Sequence, residues 1–414
     1  MAAPPKAFHR LLSPDEARAA YAAALRLAPR GRESVPLSAA LGRVLAADVV
    51  AGTDLPPFDR SAVDGWALRA ADTTGATPDA PVRMRHLGQV RMGASADVAV
   101  APGGAVRIPT GGVLPQGADA IVMQEYVDAD GGAILVRRAA RPDDNVVEHG
   151  ADVREGQVVL ARGRRLRAAD LGILAGVGLA DIEVFLPPRV AILATGDEVV
   201  PAGAPLEPGR VRDMNSPALA GAVLAAGGSP TPLGIVSDER SAVDGALRRA
   251  LRDHEMVLVS GGSSVGERDV VADAIGALGP PGIVVHGIAV RPGKPTVLAV
   301  AGEVPVIGLP GNPVSALVIF DLFARPVLEA LLGIDPASRP WTLVRARLTT
   351  ALPAAGARED HRRVTLEARP DGLWAAPQPA GSQILTSLAR ADGIVVVSSS
   401  AGYREGDEVE VRLL

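Results

Sequence analysis

Val257-Leu-Val-Ser260-Gly-Gly-Ser-Ser-Val-Gly266-Glu-Arg-Asp269 is the stretch on which the reading of this chain turns. The aliphatic, β-branched run up to Val259 reads as a buried strand, and the Gly/Ser cluster after it as a loop too tight for bulkier residues. Asp269 stands just before Val-Val-Ala-Asp-Ala-Ile, where a short carboxylate can accept the first free amides of a helix. Strand, glycine loop and helix start are how α/β proteins hold anions, because exposed N–H groups and the positive helix end point at the ligand. The loop is neither a Walker loop, since no Gly-Lys-Ser/Thr follows, nor a dinucleotide G-x-G-x-x-G. On its own it is equally a plain tight turn.

Two stretches downstream point the same way. Ile283 to Val290 is a second apolar run, ending in Arg291-Pro-Gly-Lys294-Pro, which places two cations at a rigid turn. Val304 to Leu309 is a third, followed by Pro310-Gly-Asn312-Pro313-Val-Ser315, where Asn312 can cap a helix and Pro313 suits its first position. Three strand ends thus converge on one anion-friendly edge, the usual place for ligands in open α/β sheets.

Around this block the pattern changes twice. From Arg189 to Gly333 strands and helices alternate, which predicts a parallel, doubly wound sheet. Residues 81–151 instead show short strands between turns, an all-β spacing. After a linker at Asp335 to Pro340, the stretch from Trp341 to Leu414 again reads as a small β domain. Near the N-terminus, Ser13-Pro14-Asp15-Glu16 opens a helix with a capping box. His286 reads as a packed strand residue, and the six histidines show no metal spacing.

Composition limits the function. The 414 residues suffice for two to four domains, and the net charge of −5 argues against a nucleic-acid or anionic-membrane surface. The absence of cysteine excludes disulfides, thiolate nucleophiles and zinc ribbons, and fits a cytoplasmic location. No signal-peptide core and no apolar run of about 18 residues is present.

Taken together, several motifs in order resemble a known family, the bacterial molybdopterin molybdenumtransferases called MoeA, related to the E domains of gephyrin and its plant counterpart. They are Pro56-Pro-Phe-Asp59-Arg-Ser61-Ala-Val-Asp64-Gly65, Pro109-Thr110-Gly111, Gly150-Ala-Asp152, Thr195-Gly-Asp197-Glu198, Ser260 to Gly266, Arg291-Pro-Gly-Lys294-Pro and Leu309-Pro-Gly-Asn312-Pro313-Val-Ser315. The likeness covers nearly the whole chain.

The resemblance implies an α/β multidomain protein. Residues 1–50 and 152–187 would form an extended N-terminal domain, 51–151 an inserted β domain, 188–336 a MogA-like α/β domain that binds molybdopterin, and 337–414 a C-terminal β barrel. It implies a homodimer whose cleft joins the sheet domain of one subunit to the inserted domain of the other. The implied reaction takes adenylylated molybdopterin and molybdate, releases AMP and inserts molybdenum into the dithiolene, with Mg²⁺ as helper and a MogA-type adenylyltransferase as a partner.

Residue by residue, the resemblance puts Asp59, Asp269, Arg291 and Lys294 at the reacting centre and makes Asp269 or Asp197 the Mg²⁺ ligand. Ser260, Gly261, Gly262, Ser263 and Gly266 would cradle phosphate, with Thr195, Asp197 and Asp213 as further lining; Asp213 reads equally as a helix-start residue. Ser315 would follow the cations at the oxyanion, joined by Arg358 or Arg363 and by Ser382 from the C-terminal domain, and Pro310, Gly311, Asn312 and Pro313 would bind substrate. Asp59, Thr110 and Asp152 would reach in from the partner subunit. Two other readings stand beside the enzyme: a related protein kept as a scaffold, which altered residues at 145–151 would mark, and a MogA-type adenylyltransferase, which needs only the sheet domain.

Overall fold

A computed structural model describes residues 11–261, 270–335, 341–398 and 401–414. Its central feature is a six-stranded sheet in the order 229–236, 189–195, 256–260, 304–309, 297–301, 281–286. The first four strands run parallel, while Val297–Ala301 is antiparallel to both of its neighbours. The purely parallel sheet expected from the alternation is therefore corrected at one edge. There the chain returns through the short link at 302–303, which leaves no room for a crossover helix and forces a reversal of direction.

Both faces of this sheet are covered, so its strands are apolar throughout instead of alternating with polar residues. In Arg189–Thr195, Val190 and Ile192 pack into one core and Ala191 and Leu193 into the other. Helix Arg240–Asp253 buries Val243, Ala246, Leu247 and Ala250, spaced three, four and seven apart, against the second core. On the first face lie helices Asn215–Ala226 and Pro313–Leu331, the latter running through a π-turn at Phe320–Ala324 just ahead of Pro326. The helix Pro14–Ala24 joins that face through Ala17 and Tyr21, whose buried hydroxyl donates to the Ala299 carbonyl at 3.2 Å. Its capping box forms as read: the Glu16 amide donates to Ser13 Oγ at 3.2 Å, and the Ser13 amide to Glu16 Oε2 at 2.8 Å.

A second six-stranded sheet, ordered 120–123, 65–68, 104–108, 82–89, 133–136, 127–130, accounts for the all-β spacing. In the C-terminal region the strands 359–369, 372–377, 343–348, 408–413 and 393–397 pair in a ring that closes from 393–397 back to 359–369. The result is a five-stranded barrel with a core of Val364, Val395, Val409 and Val411.

The apolar run Ile283 to Val290 is not one strand. It breaks after His286, and Val290–Arg291 leaves the sheet to pair in parallel with Glu359 and Asp360 of the barrel. The side chain of His286 is exposed, contrary to its reading as a packed residue. Arg291 is thereby fixed where sheet and barrel meet.

Candidate functional site

Thr195, Ser260 and Leu309 end three adjacent parallel strands and open onto one edge. Ser260 leads into Gly261, which sits at φ +108°, and a Cβ there would lie 2.2 Å from the Thr195 carbonyl oxygen. Only glycine lets the backbone pass so close. Gly311 lies alongside, at a distance where a Cβ on it would stand 3.7 Å from Gly261 Cα, an ordinary van der Waals separation. Across this junction reaches Asn215, whose Nδ2 donates to Ser260 Oγ at 2.6 Å and to the Gly311 carbonyl at 2.8 Å. Gly262, Ser263, Gly266 and Asp269 lie outside the described residues.

Beside this edge, between the start of helix 313–331 and the barrel, is a cleft of about 400 Å³. It brings together Arg291, Lys294, Pro310, Asn312, Ser315, Arg358, Arg363 and Ser382, all expected from sequence, with Asp360 and Arg362, which were not. Five cationic side chains thus face one carboxylate, a potential suited to an oxyanion. The Val314 amide donates to the Ser382 carbonyl at 3.1 Å and ties the barrel wall to the helix start. Asn312 occupies the cap position of that helix but makes no side-chain capping bond, so the capping role read for it does not hold. Pro313 at the first helical position needs no amide partner.

The charges in the cleft play different parts. Asp360, 3 % exposed, lies 3.5 Å from Arg291 Nη1 and 3.0 Å from Arg362 Nε; the latter is charge pairing without hydrogen-bond alignment. Arg363, 4 % exposed, donates to Ser387 Oγ at 3.0 Å and to the Pro379 carbonyl at 2.9 Å. Burial, then the neighbouring Arg362, lowers its pKa, with Asp360 acting in the opposite sense. Arg363 thus braces the loop that presents Ser382 while lining the cleft. Asp360 and Arg362 share one face of a strand by their two-residue spacing, a signal present in Arg358-Glu-Asp-His-Arg362-Arg363.

On the outer side of Thr195, Asp197 and Asp238 hold each other: the Asp238 amide donates to Asp197 Oδ1 at 3.2 Å and the Asp197 amide to Asp238 Oδ2 at 3.4 Å. Burial first, and then the charges of Asp197 and Glu198, raise the Asp238 pKa against the lowering effect of the Asp197 amide. Such crowding of carboxylates suits a cation. Mg²⁺ commonly takes one or two carboxylates, several waters and substrate phosphates. Among the described residues no group of three His, Asp or Glu side chains is set to hold a metal. Asp213 accepts the Ser216 amide at 2.9 Å and so serves the helix start, the alternative reading of that residue.

Asp59, Thr110 and Asp152 form a separate corner, and none of them lines the cleft. Arg60–Ser61 pairs with Val146–Val147, Asp59 Oδ1 accepts the His149 amide at 2.7 Å, and the Asp152 amide donates to the Leu55 carbonyl at 2.9 Å. Thr110 donates its amide and hydroxyl to Asp64 Oδ1, at 2.7 and 3.0 Å. Those two bonds, the amide foremost, hold the Asp64 carboxyl below its ordinary pKa. All three residues are exposed.

Known proteins resemble this chain along its length. Residues 12–178 match the MoeA N-terminal region (domain I and II), 191–330 a probable molybdopterin binding domain, and 345–414 the MoeA C-terminal region (domain IV). Molybdopterin molybdenumtransferase 2 of Mycobacterium tuberculosis (strain H37Rv) is 37 % identical over 378 residues, 89 % of this chain and 93 % of that protein. Molybdopterin molybdenumtransferase of Bacillus subtilis is 34 % identical, covering 92 % and 90 %. The crystal structure of a molybdopterin biosynthesis MoeA protein from Pyrococcus horikoshii OT3 superposes with a TM-score of 0.84 at 31 % identity, covering 98 % of this chain and 100 % of that one.

Proposed function

This chain belongs to the MoeA family of molybdopterin molybdenumtransferases, enzymes of molybdenum cofactor biosynthesis, and from that premise we propose that it acts on adenylylated molybdopterin and molybdate, releasing AMP as molybdenum enters the dithiolene. The observation that carries this reading is the cleft with five cations around one carboxylate, opening beside the glycine junction of three strand ends. A dianionic metal oxide needs several charged donors in a fixed array, and a phosphoanhydride needs backbone amides that a close glycine turn can expose.

In this mechanism Lys294 and Arg291 bind the oxyanion, with Ser315 and Ser382 as hydroxyl donors and Arg358 at the rim. Asp360 orients Arg291 and offsets part of the repulsion among the cations. Ser260 and Gly261 begin the cradle for the anhydride, to which the resemblance adds Gly262, Ser263, Gly266 and Asp269. Bound Mg²⁺ would neutralise phosphate oxygens there, held by Asp197 among the described residues. No nucleophilic side chain is called for, because position and charge supply the rate. We further propose a cytoplasmic homodimer, with Asp59, Thr110 and Asp152 completing the partner's cleft and a MogA-type adenylyltransferase delivering the substrate. Among the described residues no helix is long and apolar enough to cross a membrane.

Reconstitution tests this. Purified protein given adenylylated molybdopterin, Mg²⁺ and molybdate is expected to release AMP and to activate an apo-molybdoenzyme. Substrate binding without AMP release would replace the enzyme with a scaffold.

A further inference from the structure

Asn215 is nine-tenths buried and joins two strand ends that the reaction uses in different ways. Its Nδ2 donates to Ser260 Oγ, where the glycine loop begins, and to the Gly311 carbonyl, in the segment that runs on to Asn312 and Ser315. The orientation of the carboxamide is determined: a carbonyl oxygen only accepts, so the nitrogen must face Gly311. Its Oδ1 is buried with no hydrogen-bond partner among the described residues. A buried oxygen left unpaired is costly, so what this side chain contributes to the junction is its two N–H groups.

We infer that Asn215 is a positioning residue that keeps the anhydride cradle and the oxyanion cleft at a fixed separation. This rests on the functional reading above for the identity of the two substrate parts. The strut itself rests on the two hydrogen bonds of Asn215. Once the strut is cut, each half of the site still binds its own fragment. The fragments are no longer held in the relative placement that transfer requires, and such misplacement reduces turnover more than affinity.

The test compares Asn215→Ala, Ser260→Ala and the double variant in the full-length protein. AMP release is measured at saturating substrate, with separate titrations of AMP and molybdate and a thermal melt. The expected result for Asn215→Ala is a fall in kcat of about tenfold or more, with both dissociation constants within about threefold of wild type. The double variant is expected to be no slower than Asn215→Ala, because both changes cut one connection. Ser260→Ala removes a single oxygen and is the mild variant should Asn215→Ala fail to fold; it too should lower kcat, with the molybdate dissociation constant within about threefold of wild type. Unchanged kcat in the variants, or losses that multiply in the double, would overturn the inference alone. A wild-type protein that releases no AMP would overturn the functional reading and this inference with it.

Discussion

Arg291 and Lys294 sit three residues apart on one turn, and their placement shows how a short motif becomes chemistry. The strand Val290–Arg291 pins the first to the barrel, and Gly293, at φ +125°, lets the turn close against Ile319. Replacing either cation with alanine should raise the molybdate concentration for half-maximal AMP release by roughly tenfold or more, the effect of one charge-assisted contact; an unchanged requirement would place the oxyanion elsewhere. Asp170 offers a test of electrostatics away from the site. It is 4 % exposed, bound by Arg164 at 2.7 and 3.0 Å, and that pairing foremost holds its carboxyl below the ordinary range. A lowered carboxyl pKa contributes stability that is present above the unfolded value and lost as pH falls through the folded one. Asp170→Asn should therefore cost about 2 kcal/mol at neutral pH, and the gap from wild type should close below about pH 4. Equal losses at pH 7 and pH 3 in denaturant titrations would refute the pairing. At this scale the sequence revealed residues whose neighbours are punctuated by Gly and Pro, such as Lys294 and Ser315. It gave no sign that Arg363 would turn inward to Ser387 and Pro379, since that depends on contacts made only after the barrel closes.

Strands and helices were legible where local signals were strong. The buried strand before Ser260 and the capping box at Ser13 lie in the expected places. The break in the run from Ile283 to Val290 was not read, although His286-Gly287 interrupts the apolar residues where it falls and Gly287 sits at φ +88°. The antiparallel return of Val297–Ala301 was missed for a different reason: direction is a property of the pairing partner, not of the strand's composition. Gly261 makes a prediction for the strand-end junction. Gly261→Ala would put a methyl group 2.2 Å from the Thr195 oxygen at a positive φ. The junction must open, and the melting temperature should fall by roughly 5 °C with loss of AMP release. A variant that melts and turns over like wild type would mean that the strand ends are not so close.

For the whole molecule, the cleft exists only because segments far apart in the chain meet there: the turn after the edge strand, the start of helix 313–331 and a barrel that closes after both. The corner holding Asp59, Thr110 and Asp152 lies apart from it, and the proposed homodimer would join the two surfaces in one site. In that case, at molybdate too low for Lys294→Ala to turn over, Asp59→Ala and Lys294→Ala proteins should show little activity alone and regain about a quarter of wild-type activity when their subunits are mixed, because half of the dimers then carry one intact site. No recovery after confirmed subunit exchange would place Asp59 outside the active cleft.

The most direct test of the account is to locate the oxyanion itself. In crystals soaked with molybdate, anomalous scattering should show the metal in the cleft within hydrogen-bonding reach of Lys294 and Ser315, and Lys294→Ala should abolish the peak. A molybdenum peak on another face of the protein, with this cleft empty, would contradict the central claim.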